Sequence, residues 1–174
     1  GHCIPVDPYY LTYAAIEAGI IPQLILAARE TNEKMASFMV GKTVEKLAEA
    51  KISSKEASVL VLGLAFKENI SDARNSKAVD LVKGLQGAVG RVAAYDPMAP
   101  ATQYPEIEVT AIDDPFGAEE RFDAVVVSTP HDYFISNSDQ IRSLIRKNGG
   151  VLIDVTGRFA GEYASDSEIT YWRP

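Results

Sequence analysis

Two short stretches of this 174-residue chain carry side chains that could do chemistry. The first is Cys3-Ile4-Pro5-Val6-Asp7-Pro8, a thiol with a carboxylate four residues on. A thiolate adds to an electrophilic carbon and leaves again, and a polar group beside it can orient the water that finishes such a reaction. A single cysteine is more often a small buried hydrophobe. Here, however, Pro5 and Pro8 restrict the residues before them and the surroundings are polar. The pattern predicts a rigid turn that fixes Cys3 and Asp7, and His2 is given no role. The second stretch runs from Ser58 to Ser76. An unbroken apolar run at 59–62 is ended by Gly63, then come Phe66, Lys67, Asp72 and Arg74, and Ser76 opens the amphipathic series Ala78, Val79, Leu81, Val82, Leu85. That is a strand buried on both faces, a polar loop and a helix. A lysine and an arginine on such a loop stand at the carboxyl end of a strand beside a helix N-terminus, where phosphates bind.

Those stretches need elements to position them. Pro22 is well placed to open a helix, and nothing before Ser53 ends it. About thirty residues at ~1.5 Å each would span over 40 Å. Leu24, Ala28, Thr31, Met35 and Phe38 form one apolar stripe and Val40, Val44, Leu47 and Ala48 a second, so the helix calls for two partners. One is its own domain, and the other is taken to be a subunit interface. A polar linker at 53–56 leads into residues that alternate short aliphatic strands with helices. Strands are expected at 91–95, weakly at 107–110, at 124–128 and at 151–155, with a helical turn at 113–119 and a helix at 138–146. The aromatic-bearing tail after Ser165 closes an edge. The fold class is therefore α/β: a long helix, then a three-layer, Rossmann-like domain with a mostly parallel sheet. The predicted division is 1–54 and 55–174.

The G-x-G-x-x-G turn of a dinucleotide site is missing after Gly63, so this domain is not expected to hold a dinucleotide at that turn. Asp96-Pro97 after the second strand reads as a turn, and His131 is given no role. The formal charge of -7 disfavours a nucleic-acid partner. No run approaches the ~18 apolar residues of a membrane span. One cysteine permits no intrachain disulfide, which points to a reducing compartment and a cytoplasmic protein. The chain starts inside what reads as a functional segment, as a fragment of a longer protein would.

Gly-His-Cys-Ile-Pro-Val-Asp-Pro-Tyr-Tyr-Leu at 1–11, followed about fifty residues later by Gly-Leu-Ala-Phe-Lys-Glu-Asn-Ile-Ser-Asp-Ala-Arg-Asn-Ser, resembles the UDP-glucose/GDP-mannose dehydrogenase family. The Val-Asp-Pro-Tyr-Tyr ending is similar to the branch acting on UDP-N-acetylhexosamines. The resemblance implies that Cys3 is the nucleophile and Asp7 the acid that helps position the hydrolytic water. It also implies that Phe66, Lys67 and Arg158 bind the UDP-sugar and that Arg74 reaches NAD. NAD itself would be held mainly by an upstream domain, and the long helix would form a homodimer. On this resemblance the chain is part of an NAD-dependent 6-dehydrogenase serving surface-polysaccharide synthesis, inactive alone. UDP-glucose or GDP-mannose oxidation, or a non-catalytic nucleotide-binding module, are the alternatives.

Overall fold

The computed structural model describes all residues except Gly1, Ala73, Pro100, Ala101, Thr102, Asp113 and Ala118. Two helices come first, α1 (Cys3–Glu17) and α2 (Gln23–Glu49). They are followed by β1 (Ser58–Leu62), α3 (Lys77–Gln86), β2 (Arg91–Tyr95), β3 (Thr110–Ala111), β4 (Ala124–Val127), α4 (Asp132–Ser136), α5 (Ser138–Leu144), β5 (Gly150–Asp154), α6 (Ala160–Tyr163) and β6 (Ile169–Trp172). By internal contacts the chain divides into residues 1–35 and 36–174. That boundary falls inside α2, whose Met39, Thr43 and Leu47 are buried in the second unit's own core.

Residues 1–35 hold α1 and the first part of α2. The expected rigid turn around Cys3 is instead the first turns of α1. Pro5 falls where a helix amide has no intrahelical partner anyway, and Pro8 removes only one bond. The helix ends at Gly19, whose φ of +79° suits glycine, with Gly19 N–H on the Ile16 carbonyl at 2.9 Å and Ile20 N–H on Ala15 at 2.8 Å. Of the described residues in α1 only Thr12 is buried.

The second unit is built on a six-stranded sheet of order β3-β2-β1-β4-β5-β6, with every adjacent pair parallel. Alternate residues of the aliphatic runs serve opposite faces. Val59, Val61 and Val126 pack with Met39 and Leu47 of α2 and with Val79, Val82 and Leu85 of α3. Leu60, Leu62, Val125 and Val127 pack with Phe134, Ile141, Leu144, Phe159 and Tyr163 on the other side. Each such fully buried aliphatic side chain contributes about 1.5–3 kcal/mol. The face of α2 that packs here is centred on Met39, Thr43 and Leu47; of the expected Val40, Val44, Leu47, Ala48 stripe, Leu47 is buried and Val40 packs against the core, while Ala48 is exposed.

Expected and observed bounds agree for β1, β2 and β5 within a residue. The strand expected at 107–110 is only Thr110–Ala111, the short helix α4 was not foreseen, and of the helical turn expected at 113–119, Asp113 and Ala118 lie outside the described residues. The tail does close an edge: β6 pairs with β5, and Trp172 meets Phe38 with ring centroids 6.2 Å apart. Among the described residues no helix is long and apolar enough to cross a membrane.

Candidate functional site

Helical spacing puts Cys3 and Asp7, four residues apart, on one face of α1. Both line a cleft of about 730 Å³ in the first unit, together with Leu24, Arg29 and Asn32 of α2. The thiol is exposed. Arg29 is the residue there that sequence reading passed over, since α2 was treated only as a packing element. Its guanidinium lies 4.7 Å over the Tyr9 ring and bonds Glu33 at 2.9 Å, while Nε is buried without an acceptor. A thiol, a carboxylate, an amide and a cation thus share one mostly apolar recess.

The second unit carries a separate recess where the parallel strands end. In this strand order the connections from β1 and β4 leave to opposite faces, and ligands bind in the crevice that opens there. A cavity of about 310 Å³ is lined by Glu68 from the loop after β1, Pro130 and Asp132 from the loop after β4, and Thr156 and Arg158 from the loop after β5. Lys67, next to Glu68, is exposed, and Phe66 is half-buried. Arg158 is exposed as well.

Buried carboxylates hold these loops, and neither was given that task from sequence. Asp96, at the end of β2, accepts the N–H of Leu64 at 2.5 Å, Ala65 at 2.7 Å, Met98 at 2.7 Å and Ala99 at 2.8 Å, and His131 Nε2 lies 3.0 Å from it. Burial pushes the Asp96 pKa up, but the hydrogen bonds from His131 and the backbone outweigh it and leave the carboxyl below its ordinary value. Thr129 donates to the Ala65 carbonyl at 3.0 Å. Asp154, fully buried at the end of β5, accepts Gly157 N–H at 2.9 Å, Phe159 N–H at 2.8 Å and the Tyr171 hydroxyl at 2.8 Å, which sets the turn carrying Arg158. Gly63 has φ +88°, and a Cβ there would sit 2.3 Å from the Thr129 carbonyl, so glycine is needed for the β1 and β4 loops to meet.

The β1 turn does not fit a dinucleotide. The amides of Leu64 and Ala65, which would have to face a pyrophosphate in such a turn, donate instead into Asp96. Arg74, expected to reach NAD, is exposed and bonds both oxygens of Asp72, at 3.0 and 2.7 Å. The structure therefore brings Cys3 and Asp7 together in one unit and Glu68 and Arg158 together in the other, and pairs Arg74 with its own loop.

A doubly wound domain with a crevice at its strand ends, carrying Arg158 beside the Lys67 loop, has the architecture of a nucleotide-binding class of protein. The family model described as "UDP-glucose/GDP-mannose dehydrogenase family, UDP binding domain" matches residues 60–160, more than half of the chain. The chain belongs to the UDP-glucose/GDP-mannose dehydrogenase family. It is 36% identical over 146 residues to UDP-N-acetyl-D-glucosamine 6-dehydrogenase of Pseudomonas aeruginosa, covering 83% of this chain and 34% of that protein. It is 38% identical over 136 residues to UDP-N-acetyl-D-mannosamine dehydrogenase of Pyrococcus horikoshii, covering 78% of this chain and 30% of that one. The solved UDP-D-ManNAc dehydrogenase from Pyrococcus horikoshii superimposes with a TM-score of 0.78 at 32% identity, over 98% of this chain and 38% of that structure. The chain thus spans about a third of the length of these relatives.

Proposed function

We propose that this chain is the nucleophile-bearing and nucleotide-sugar-binding portion of an NAD-dependent 6-dehydrogenase that oxidises a UDP-N-acetylhexosamine to its uronate. The carrying observation is the strand-end crevice with Arg158 and the Lys67 loop, inside the segment that matches a UDP-binding domain. The names of the relatives support the N-acetylhexosamine branch.

On this reading Phe66, Lys67 and Arg158 take the uridine and diphosphate end of the substrate, while Cys3 and Asp7 act at the sugar C6. Taking a primary alcohol to a carboxylate removes four electrons as two hydrides. NAD supplies the hydride acceptor and is held mainly by a part of the protein other than the β1 turn. The chain's own part is covalent. Cys3 Sγ adds to the aldehyde carbon to make a thiohemiacetal. Once that carbon is a thioester, a water placed by Asp7 attacks it, the C–S bond breaks, and carboxylate and thiol leave as separate groups. The aldehyde stays attached throughout.

We further infer that a second copy of the chain covers α1 and the start of α2, whose Leu24, Ile4 and Tyr10 are 83%, 75% and 71% exposed. The binding half of the reading is tested by thermal melting. UDP raises the melting temperature of the wild-type chain by mass action, and Lys67→Ala removes most of that rise. An undiminished rise in the variant overturns the role of Lys67. Incubated alone with NAD and UDP-N-acetylhexosamines, the chain yields no NADH, and measurable NADH refutes the division of labour.

A further inference from the structure

Lys67 sits between two anchors. On one side the amides of Leu64 and Ala65 are fixed on the Asp96 carboxylate. On the other, the Asn69 N–H donates to His131 Nδ1 at 2.8 Å, and Asn69 Oδ1 accepts the Asp132 N–H at 2.9 Å. Asn69 itself holds φ +59°, in the left-handed region that asparagine adopts more readily than most non-glycine residues. The Phe66 N–H reaches back to the Asp72 carbonyl at 2.9 Å, closing the segment on itself. The imidazole that makes the second anchor is 1% exposed.

The hydrogen bonds fix its tautomer. Nδ1 accepts a backbone N–H and so carries no proton, which leaves the ring hydrogen on Nε2, pointing at Asp96 Oδ2 3.0 Å away. Asp96 therefore faces one nitrogen and a neutral amide faces the other. The ring also packs against Phe134, with centroids 5.8 Å apart. One neutral imidazole thus ties the end of β2, the loop after β1 and the start of α4 into a single frame, at the point where the crevice opens.

We propose that His131 is a positioning residue for the Lys67 segment: its Nδ1 holds Asn69, and its Nε2–H on Asp96 sets the tautomer that makes Nδ1 the acceptor, so that the lysine is presented to an anionic nucleotide already ordered. The loop geometry stands independently of ligand identity, whereas its consequence for UDP rests on the function proposed above. A segment ordered in advance loses less freedom on binding, and that difference appears in affinity.

Two substitutions separate the two nitrogens. In His131→Asn the side-chain oxygen lies near the Nδ1 position and can still accept the Asn69 N–H, but nothing reaches Asp96. In His131→Gln the amide NH2 lies near Nε2 and can still donate to Asp96, but nothing meets Asn69. A role limited to filling the core would make both variants act alike on UDP binding. A positioning role predicts that the Gln variant binds UDP about tenfold more weakly, the factor that one net hydrogen bond supplies, while the Asn variant stays within about twofold of wild type. In a Lys67→Ala background the Gln effect on UDP disappears.

Hydrogen exchange at the Asn69 amide reads the same anchor without ligand. It quickens about tenfold in the Gln variant and stays near the wild-type rate in the Asn variant. Equal UDP affinity in the wild type and the Gln variant overturns the proposal, as does unchanged Asn69 exchange in the Gln variant. If the wild-type chain binds no UDP, the proposed function fails, and Asn69 exchange alone decides the anchoring. If the Gln variant does not fold, the Asn variant carries the test, and a tenfold change in either its affinity or its Asn69 exchange sinks the proposal.

Discussion

The two parts of this chain treat their apolar residues in opposite ways. In residues 36–174 the aliphatic runs of β1, β4 and β5 are fully buried on both faces of the sheet. In residues 1–35 isoleucines, leucines and tyrosines stand exposed along α1 and the start of α2. The first arrangement carries its own core. The second leaves that apolar surface exposed. Cys3 and Asp7 lie in the part with the exposed apolar surface, and the strand-end crevice with Arg158 lies in the part with the buried sheet. On the proposed function, ligand binding is therefore expected of the second unit by itself.

That contrast can be broken most severely from within the sheet. Leu60→Ala removes a fully buried side chain and should cost about 3 kcal/mol, about 10 °C of melting temperature for a chain of this size. A shift under 2 °C, measured calorimetrically, would mean the second unit is not held by that core (about 2–4 °C per kcal/mol is expected). Asp96→Asn comes next, at about 2 kcal/mol, because an amide cannot accept from all the donors that converge on the carboxylate. Acid sharpens the same point. Asp96 is buried yet held below the ordinary 3.8 by His131 and the backbone. Asp123, likewise part-buried, is held low by Ser58 and Arg146. A carboxyl whose folded-state pKa is lowered contributes stability that is complete above about pH 4 and is lost as the pH falls through its folded value. Melting temperature should therefore fall more steeply in wild type than in Asp96→Asn as the pH drops below about 4, under the ~3.8 carboxyl reference. Parallel curves would remove Asp96 from the account.

From the other side of the comparison, Leu24→Glu should leave the melting of the second unit unchanged while lowering the molar mass that light scattering reports for the self-associated chain. An unaltered mass argues against a second copy on that face. Smallest of all is Arg74→Ala. This guanidinium is exposed and, among the described residues, pairs with Asp72 of its own loop, so neither melting temperature nor UDP affinity should move measurably. A loss of UDP affinity would place Arg74 in the crevice.

The strands were legible because unbroken valine and leucine runs bounded by glycine leave few alternatives, and Ser76 announced its helix by the cap it makes on the Ala78 N–H. Residues 3–11 were misread because two prolines signal a turn until one notices that the first turn of a helix has no use for their missing amide hydrogens. The Cys3 and Asp7 spacing carried the correct hint, since a separation of four aligns side chains on a helix and also fits many turns. Asp96, His131 and Asp154 were missed for a different reason. Asp96 looks like the first residue of an Asp-Pro turn, and only the sheet brings it under amides more than thirty residues away. Arg29 hid inside a helix whose periodicity drew attention to its aliphatic neighbours.

The hydroxyl of Tyr171 reaches Asp154 from the outermost strand. The chain's closing residues are thereby wired to the carboxylate that shapes the Arg158 turn, so fraying at that border would be felt as a misplaced guanidinium. Removing that hydroxyl, as in Tyr171→Phe, would accordingly loosen the Arg158 turn before it altered the sheet.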